Sequence, residues 1–468
     1  MWESKRVAQI LRTECLGDLS VPVFGCVLDS RQARKGEIFF ALAGEKADGH
    51  DYIEAAWNNG ASLVIAEKSK MKERKDLNVP EGKALILVES GQKAMQELAK
   101  AWRLELGVKV VAITGSNGKT TTKDMVSAVL SQKYAVHKNK ENQNNELGVP
   151  MTILNAPEST EIMVIEMGMR GLGQIKALCD YVRPDTGVIT NIGTTHMELL
   201  GTQENIAKAK WELIEALPLE GIAILNGDDL WSVRKAEKDP HQPLFYGIEG
   251  KYHEPNIQGK NLQQTGTLGT QFEIMAQTEQ AQAFLPLPGE HNVLDALAAL
   301  AIGKAYGISL QEGCHGLAKL ELSKMRLELH PGIYGSMLLS DVYNANPTSM
   351  QASLKVLSER SGKSTLAILG EMYELGKASA SGHYEVGRSV AELGITELIT
   401  VGPLAEEIAR GALDSGLPQD RVHICDDRES AISQAKLLLS RLERETWVLI
   451  KASRGMKLEK VTEALQIS

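Results

Sequence analysis

The sequence is short of several features that would each define a class of protein. Its five cysteines, Cys15, Cys26, Cys179, Cys314 and Cys425, are odd in number, far apart and form no CxxC. Neither a disulfide framework nor a zinc site fits that spacing, and a reducing cytoplasm is the expected compartment. No uninterrupted apolar stretch reaches the ~18–20 residues of a membrane helix. The start, Met1-Trp2-Glu3-Ser4-Lys5-Arg6, has no apolar core behind a basic head, so no signal peptide is expected. Basic residues are in deficit: 51 Lys and Arg against 60 Asp and Glu leave a formal net charge of −9. Bulk charge therefore argues against nucleic acid or an anionic membrane as partner. A phosphorylated small molecule can still bind a local site. No internal repeat or low-complexity segment is present.

What is there reads as a soluble globular chain of 468 residues, 43% hydrophobic and 24% charged. A single core stops growing near ~250–300 residues, and ~150 residues per domain gives a prior of about three. The first hundred residues suggest a small α/β unit, with strands at Ile38–Leu42 and Ser62–Ala66 and a helix over Ile53–Asn59. The polar segment Met71–Gly82, with Lys72, Glu73, Arg74, Lys75 and Asp76, predicts a solvated loop or short helix. After Gly107 the pattern changes. Val108–Thr114 is a short β-branched run, followed by a glycine-rich loop and a helical pattern over Thr121–Leu130. Further strand signals at Ile162–Ile165, Thr186–Thr190 and Ile222–Leu225 alternate with helices and predict a parallel sheet covered by helices. Another change falls near Leu322–Arg326. Beyond it, runs at Met337–Asp341, Thr365–Gly370, Glu397–Val401, Arg421–Cys425 and Thr446–Lys451 predict a second doubly wound α/β domain. The expected division is 1–107, 108–322 and 323–468.

The loop Gly115-Ser116-Asn117-Gly118-Lys119-Thr120 carries the clearest chemistry. Glycines let backbone N–H groups approach an anion, and a helix N-terminus adds partial positive charge. Lys119 supplies a full charge, and the Thr120 hydroxyl suits Mg²⁺. The general phosphate-loop pattern has a glycine five residues before Gly118, where this chain has Ile113, so the loop is a shortened variant. Glu166 follows the strand Met163-Val164-Ile165 and should project into the crevice as a hard oxygen ligand. His196 sits in another strand-end loop, after Asn191-Ile192-Gly193-Thr194-Thr195, where a lone histidine is by itself more often structural than a ligand.

The stretch Ala112–Lys123 resembles the nucleotide loop of the Mur ligases, the ATP-dependent amide-forming enzymes of peptidoglycan precursor synthesis. The resemblance covers essentially the whole chain. It implies an α/β protein of three domains: a small α/β uridine-nucleotide domain, a central P-loop ATPase domain with a parallel sheet, and a C-terminal Rossmann-like domain. Asn144-Asn145-Glu146-Leu147-Gly148-Val149-Pro150, Glu166–Arg170, Asp341–Pro347 and Leu369–Gly376 are similar to one branch of the family. That branch joins D-alanyl-D-alanine to UDP-N-acetylmuramoyl-tripeptide.

The resemblance further implies residue roles. Gly115, Ser116, Asn117, Gly118, Lys119, Thr120 and Thr121 would cradle ATP phosphates, and Asn292 in Gly289-Glu290-His291-Asn292 would contact adenine. The family commonly has a second Asn three residues later, where this chain has Asp295. Arg326 would reach the phosphates and Asp341 the ribose from the third domain. Ser30, Arg31, Ala41, Asp48, Gly49 and His50, with Asn144 and Asn145, would hold the UDP-linked substrate, and Asn344 and Asn346 the dipeptide. Lys210 would be carbamylated by CO₂ and join Thr120, Glu166 and His196 as a Mg²⁺ ligand. Lys119, Glu166, His196 and Lys210 are the expected catalytic set, with ATP and Mg²⁺ as cofactors and a monomer as the expected state. ATP answers the harder obstacle to making an amide, the poor electrophilicity of a carboxylate, by converting it to an acyl phosphate.

Three rivals differ in what they need. The preceding ligase of the series usually has an Asp-Asn-Pro-Arg motif in its last domain, and the chain has none. Folylpolyglutamate synthase lacks a domain of about a hundred residues before the phosphate loop. A nucleotide switch would not need Glu166, His196 and Lys210 near the phosphates. The third residue of the accepted peptide, diaminopimelate or lysine, stays open.

Overall fold

The structure, a computed structural model, describes residues 2–467 apart from 45–46, 73, 75–76, 141–142, 266–268, 278, 322, 324, 361–363 and 443–444. Glu73, Lys75 and Asp76 of the polar segment, and Leu322 and Lys324 at the second expected boundary, thus lie outside the described residues. Among the described residues, three main sheets follow one another along the chain. The first has five strands in the order Cys15–Gly17, Ala84–Val88, Leu63–Glu67, Ile38–Phe40, Cys26–Val27, all parallel except Cys15–Gly17. Helix Ile53–Asn59 falls where the sequence pattern puts it, and helix Gly91–Leu106 leads into the second unit.

The second sheet has nine strands. Strand Lys109–Thr114 lies between Ile162–Glu166 and Thr186–Ile189, parallel to both. Side chains alternate across it. Val110 and Ala112 join one buried cluster with helices Gln174–Val182 and Gln203–Glu215, while Val111 and Ile113 join another with helix Lys119–Leu130 and helix Glu290–Ala305. Both faces are covered, which is why these strands read as unbroken apolar runs. Glu290–Ala305 is itself apolar almost all round and runs through the core.

The expected parallel sheet is present and is extended at one edge. Three strands at its far edge, Ile257–Thr265, Gly269–Ala276 and Glu279–Leu285, form an antiparallel meander. The first of them, Ile-Gln-Gly-Lys-Asn-Leu-Gln-Gln-Thr, is mostly polar because much of it is exposed, so it carries little periodic signal.

The third sheet has six strands. Met337–Asp341, Trp447–Lys451, Thr365–Gly370, Glu397–Val401 and Val422–Cys425 are parallel, and Glu328–Pro331 pairs antiparallel at the edge. No helix among the described residues is long and apolar enough to cross a membrane.

The topology locates a crevice. From Lys109–Thr114 the chain runs to the edge strand Val136–Lys138, and from Ile162–Glu166 it returns past it to Thr186–Ile189. Strand order reverses there, and α/β sheets bind ligands outside the carboxyl ends of strands at such a point. Gly115 leaves the strand so close to its neighbour that a methyl group would overlap the Thr190 hydroxyl. Gly107 has a positive φ of 62° but open space around it. Gly115→Ala should therefore cost about 2–4 kcal/mol, and Gly107→Ala only about 1 kcal/mol, in urea unfolding of the whole chain. Equal losses would contradict the close-approach argument.

Candidate functional site

The phosphate loop is held by the strand end beside it. The Ser116 N–H donates to the Asn191 carbonyl at 3.0 Å and the Asn117 N–H to Asn191 Oδ1 at 3.0 Å. Thr190 Oγ1 donates to the Asn117 carbonyl at 2.6 Å, and the Gly193 N–H to Ser116 Oγ at 2.9 Å. Gly118, at φ 79°, turns the chain into helix Lys119–Leu130, which begins two residues earlier than its apolar pattern. Lys119 Nζ donates to the Gly115 and Ser116 carbonyls at 2.9 and 3.3 Å.

Glu166 is 2% exposed. Its Oε2 accepts from Thr120 Oγ1 and its Oε1 from Asn144 Nδ2, both at 2.8 Å. Asn139 fixes the backbone of Glu166 on both sides, accepting from its N–H and donating to its carbonyl at 2.9 Å each. Asn139 is a residue that sequence reasoning misses, because an amide in a loop carries no pattern.

Lys210 lies on helix Gln203–Glu215 and is 1% exposed. Among the described residues its amine has no hydrogen bond or ion-pair partner. Burial drives its pKa well below the ordinary lysine value, and the nearby Lys119 charge acts in the same direction. Burial also lowers Lys119, against the pull of Glu166.

The third domain reaches into this site. Arg326 Nη2 donates to Thr120 Oγ1 at 2.8 Å, its guanidinium lies 4.3 Å from the Tyr343 ring centre, and its buried Nε has no partner among the described residues. Flanking Met325 and Leu327 both have positive φ, 65° and 48°, a strained backbone around a side chain that spans the gap. Asn346 caps helix Pro347–Ser358 through Oδ1 and donates from Nδ2 to Asn117 Oδ1 at 2.6 Å. Asn344 Oδ1 accepts from the Ala345 N–H. Asp341 pairs in register with Lys451, Nζ to Oδ2 2.6 Å, and accepts from Ser353. That ammonium holds the buried Asp341 carboxyl below the usual range despite desolvation. His196 Nδ1 stands 3.0 Å from Glu374 Oε2, at ion-pair distance but not aligned for a hydrogen bond.

One cavity of about 1040 Å³ gathers these groups. Residues 115–121, Asn144, Asn145, Glu166, His196, Lys210, Asn292, Arg326, Asp341, Asn344 and Asn346 all line it. So do Asp295, Tyr343 and Glu374, to which the sequence reading gave no role.

Ser30, Arg31, Ala41, Asp48, Gly49 and His50 lie outside this lining. Arg31 is exposed and pairs with Asp29 at 2.7 Å. The His50 ring is fully buried: Nδ1 meets Asp48 Oδ1 at 2.6 Å and Nε2 accepts the Glu67 N–H at 3.0 Å. Both ring nitrogens are thus engaged inside the first domain. His50 shapes the loop Asp48–Tyr52 and presents no free nitrogen to a ligand.

Mg²⁺ takes one or two carboxylates plus substrate phosphates and water, not a dense protein cage. Thr120 and Glu166 offer two adjacent hard oxygens, and among the described residues no cluster of three or more His, Cys, Asp and Glu surrounds them. The donor set fits a phosphate-bound Mg²⁺.

A phosphate loop on a parallel sheet, closed by an arginine and an asparagine from a second doubly wound domain, defines a P-loop protein of three α/β units. Residues 23–103 match the family described as Mur ligase family, catalytic domain, residues 113–303 the Mur ligase middle domain, and residues 325–454 the Mur ligase, glutamate ligase domain. The chain is 39% identical to the UDP-N-acetylmuramoyl-tripeptide–D-alanyl-D-alanine ligase of Bacillus subtilis, over 95% of this chain and 93% of that one. A crystal structure of MurF from Acinetobacter baumannii superposes with a TM-score of 0.85 at 28% identity, covering 99% of this chain and 98% of that one. The MurF ligase of Thermotoga maritima in complex with ADP gives 0.80 at 30% identity, covering 94% and 97%. The chain belongs to the Mur ligase family. Within it, the similarity to tripeptide–D-alanyl-D-alanine ligases runs nearly end to end.

Lys451→Met would leave the Asp341 carboxylate without its ammonium. The expected loss is about 3–5 kcal/mol near pH 7 by urea unfolding. Asp341 is depressed in the folded state, so the pair stabilises above the unfolded value of about 4 and less as pH falls through the folded one. The gap between wild type and variant should close in acid. A pH-independent gap would contradict the ion-pair account.

Proposed function

We propose that this chain is an ATP-dependent ligase that joins D-alanyl-D-alanine to UDP-N-acetylmuramoyl-tripeptide. The observation that carries the reading is the meeting of Arg326 and Asn346 with Thr120 and Asn117 in one cavity beside Glu166 and Lys210. We divide the chain at 1–107, 108–322 and 323–468, in keeping with the three sheets and the three family matches. The first part holds the UDP-linked substrate through Ser30, Arg31, Ala41, Asp48 and Gly49, with His50 acting through the loop it shapes. The cytoplasm and a monomer complete the reading.

The backbone N–H groups of 115–121 and the N-terminus of the following helix face the ATP phosphates. Lys119 exchanges its loop carbonyls for phosphate oxygens. The unpartnered Nε of Arg326 supports a second, charge-assisted contact from the other side. Thr120, Glu166, His196 and a carbamate on Lys210 would hold Mg²⁺, which would supply positive charge beside the transferring phosphoryl group. That transfer asks for alignment and neutralisation more than for a strong base. It turns the peptide carboxylate into an acyl phosphate, which the dipeptide amine attacks, expelling phosphate. Asn144 and Asn145 border the acceptor side and Asn344 and Asn346 the dipeptide side. Closure of the third domain onto Thr120 excludes water from the acyl phosphate.

The buried, unpartnered and neutral-leaning amine of Lys210 suits reaction with CO₂, which needs the uncharged form. With ¹³CO₂, a carbamate carbon resonance should appear in the whole chain and vanish in Lys210→Ala, whose activity should fall by several orders of magnitude with little loss of stability. A wild-type spectrum without that resonance, together with a fully active variant, contradicts the carbamate.

The reaction itself is read by phosphate release. Release should require both UDP-N-acetylmuramoyl-tripeptide and D-alanyl-D-alanine. Product formed with a free amino acid and never with the dipeptide would overturn the assignment in favour of the preceding ligase.

A further inference from the structure

Asp295 is buried to 5% exposure on helix Glu290–Ala305, among valine, alanine, leucine and isoleucine. Its carboxyl packs against the phosphate-loop turn at the edge of the cavity. Oδ1 accepts the Thr122 hydroxyl at 2.8 Å, and a Cβ placed on Gly118 would stand 2.5 Å from that same oxygen. Among the described residues, Thr122 is its only hydrogen-bond donor and no cation pairs with it. The groups facing it are Thr122 from helix Lys119–Leu130, Arg326 at longer range, and the Tyr246 phenol from strand Leu244–Gly247 with Asp228 and Asp229 near that phenol. One donor for two oxygens, in an apolar setting, favours the uncharged acid. A neutral carboxyl has an O–H donor beside its acceptor oxygen and carries no charge into that setting.

We propose that Asp295 is a positioning residue that braces the turn at Gly118 as a neutral carboxylic acid, and that its ionised form weakens the binding of nucleotide phosphates there. The inference rests on the nucleotide site proposed above. An anion packed against Gly118 opposes phosphates bound at that turn, across a poorly screened gap. Burial pushes the Asp295 pKa up to about 8, so the change falls in an accessible range.

The test is calorimetric titration of ADP with Mg²⁺ into the whole chain between pH 7 and pH 9, with Asp295→Asn alongside. If the neutral form alone binds, wild-type affinity falls about tenfold over that span, while Asp295→Asn changes far less. Thermal unfolding without nucleotide gives an independent reading. The folded pKa lies above the unfolded one of about 4, so stability is full below pH ~4 and is lost as pH rises towards 8. The variant should gain on the wild type from pH 5 to pH 8, by roughly 5 °C or more in Tm. A flat wild-type affinity profile, or profiles that run parallel in the two proteins, overturns the inference. Absence of ADP binding at every pH would strike the proposed nucleotide site instead, and the melting comparison then decides the protonation of Asp295.

Discussion

The arrangement depends on the hydrogen bonds that tie the phosphate loop to Thr190 and Asn191. Those bonds fix the turn before any ligand arrives, so the N–H groups of the loop need no reordering on binding. They form only because strands Lys109–Thr114 and Thr186–Ile189 run parallel and end together. The same sheet brings Glu166 level with Ile113, one residue short of the strand end. Sheet register thus sets the distance between loop and carboxylate, and both faces of the sheet are packed to hold that register.

The second dependence is on the link between domains. A chain of polar contacts runs from Asn144 through Glu166 and Thr120 to Arg326. Asn117 to Asn346 makes a second link, and His196 beside Glu374 a third approach. Each is a single contact, weak beside the cores on either side. Domains joined by a few polar bonds are expected to move, and the strained backbone at Met325 and Leu327 lies where such motion would turn.

The loop was legible in the sequence because its signal is local: an apolar run, two glycines, a lysine and a threonine, then a helical pattern. Parallel strands buried on both faces were legible for the same reason, as at Met337–Asp341 and Thr365–Gly370. The meander after Ile257 was not, since a half-exposed strand leaves no clean period. Nor were Thr190, Asn191 and Asn139, whose work is to meet backbone groups many residues away. His50 shows the limit of reading a residue by type, since its ring serves the inside of its own domain. Asp295 was visible as a departure from pattern, but only its place against Gly118 gives the departure a physical meaning.

The central claim is that two domains together hold one nucleotide. It is tested most directly by calorimetric titration of a non-hydrolysable ATP analogue, with Mg²⁺, into the wild-type chain and into a folded Arg326→Ala variant. The account predicts that the variant loses at least about tenfold in affinity, roughly the ~1.5–3 kcal/mol of a charge-assisted contact. Equal affinity in the two proteins would contradict it, and would leave Arg326 a partner of Thr120 and Tyr343 alone.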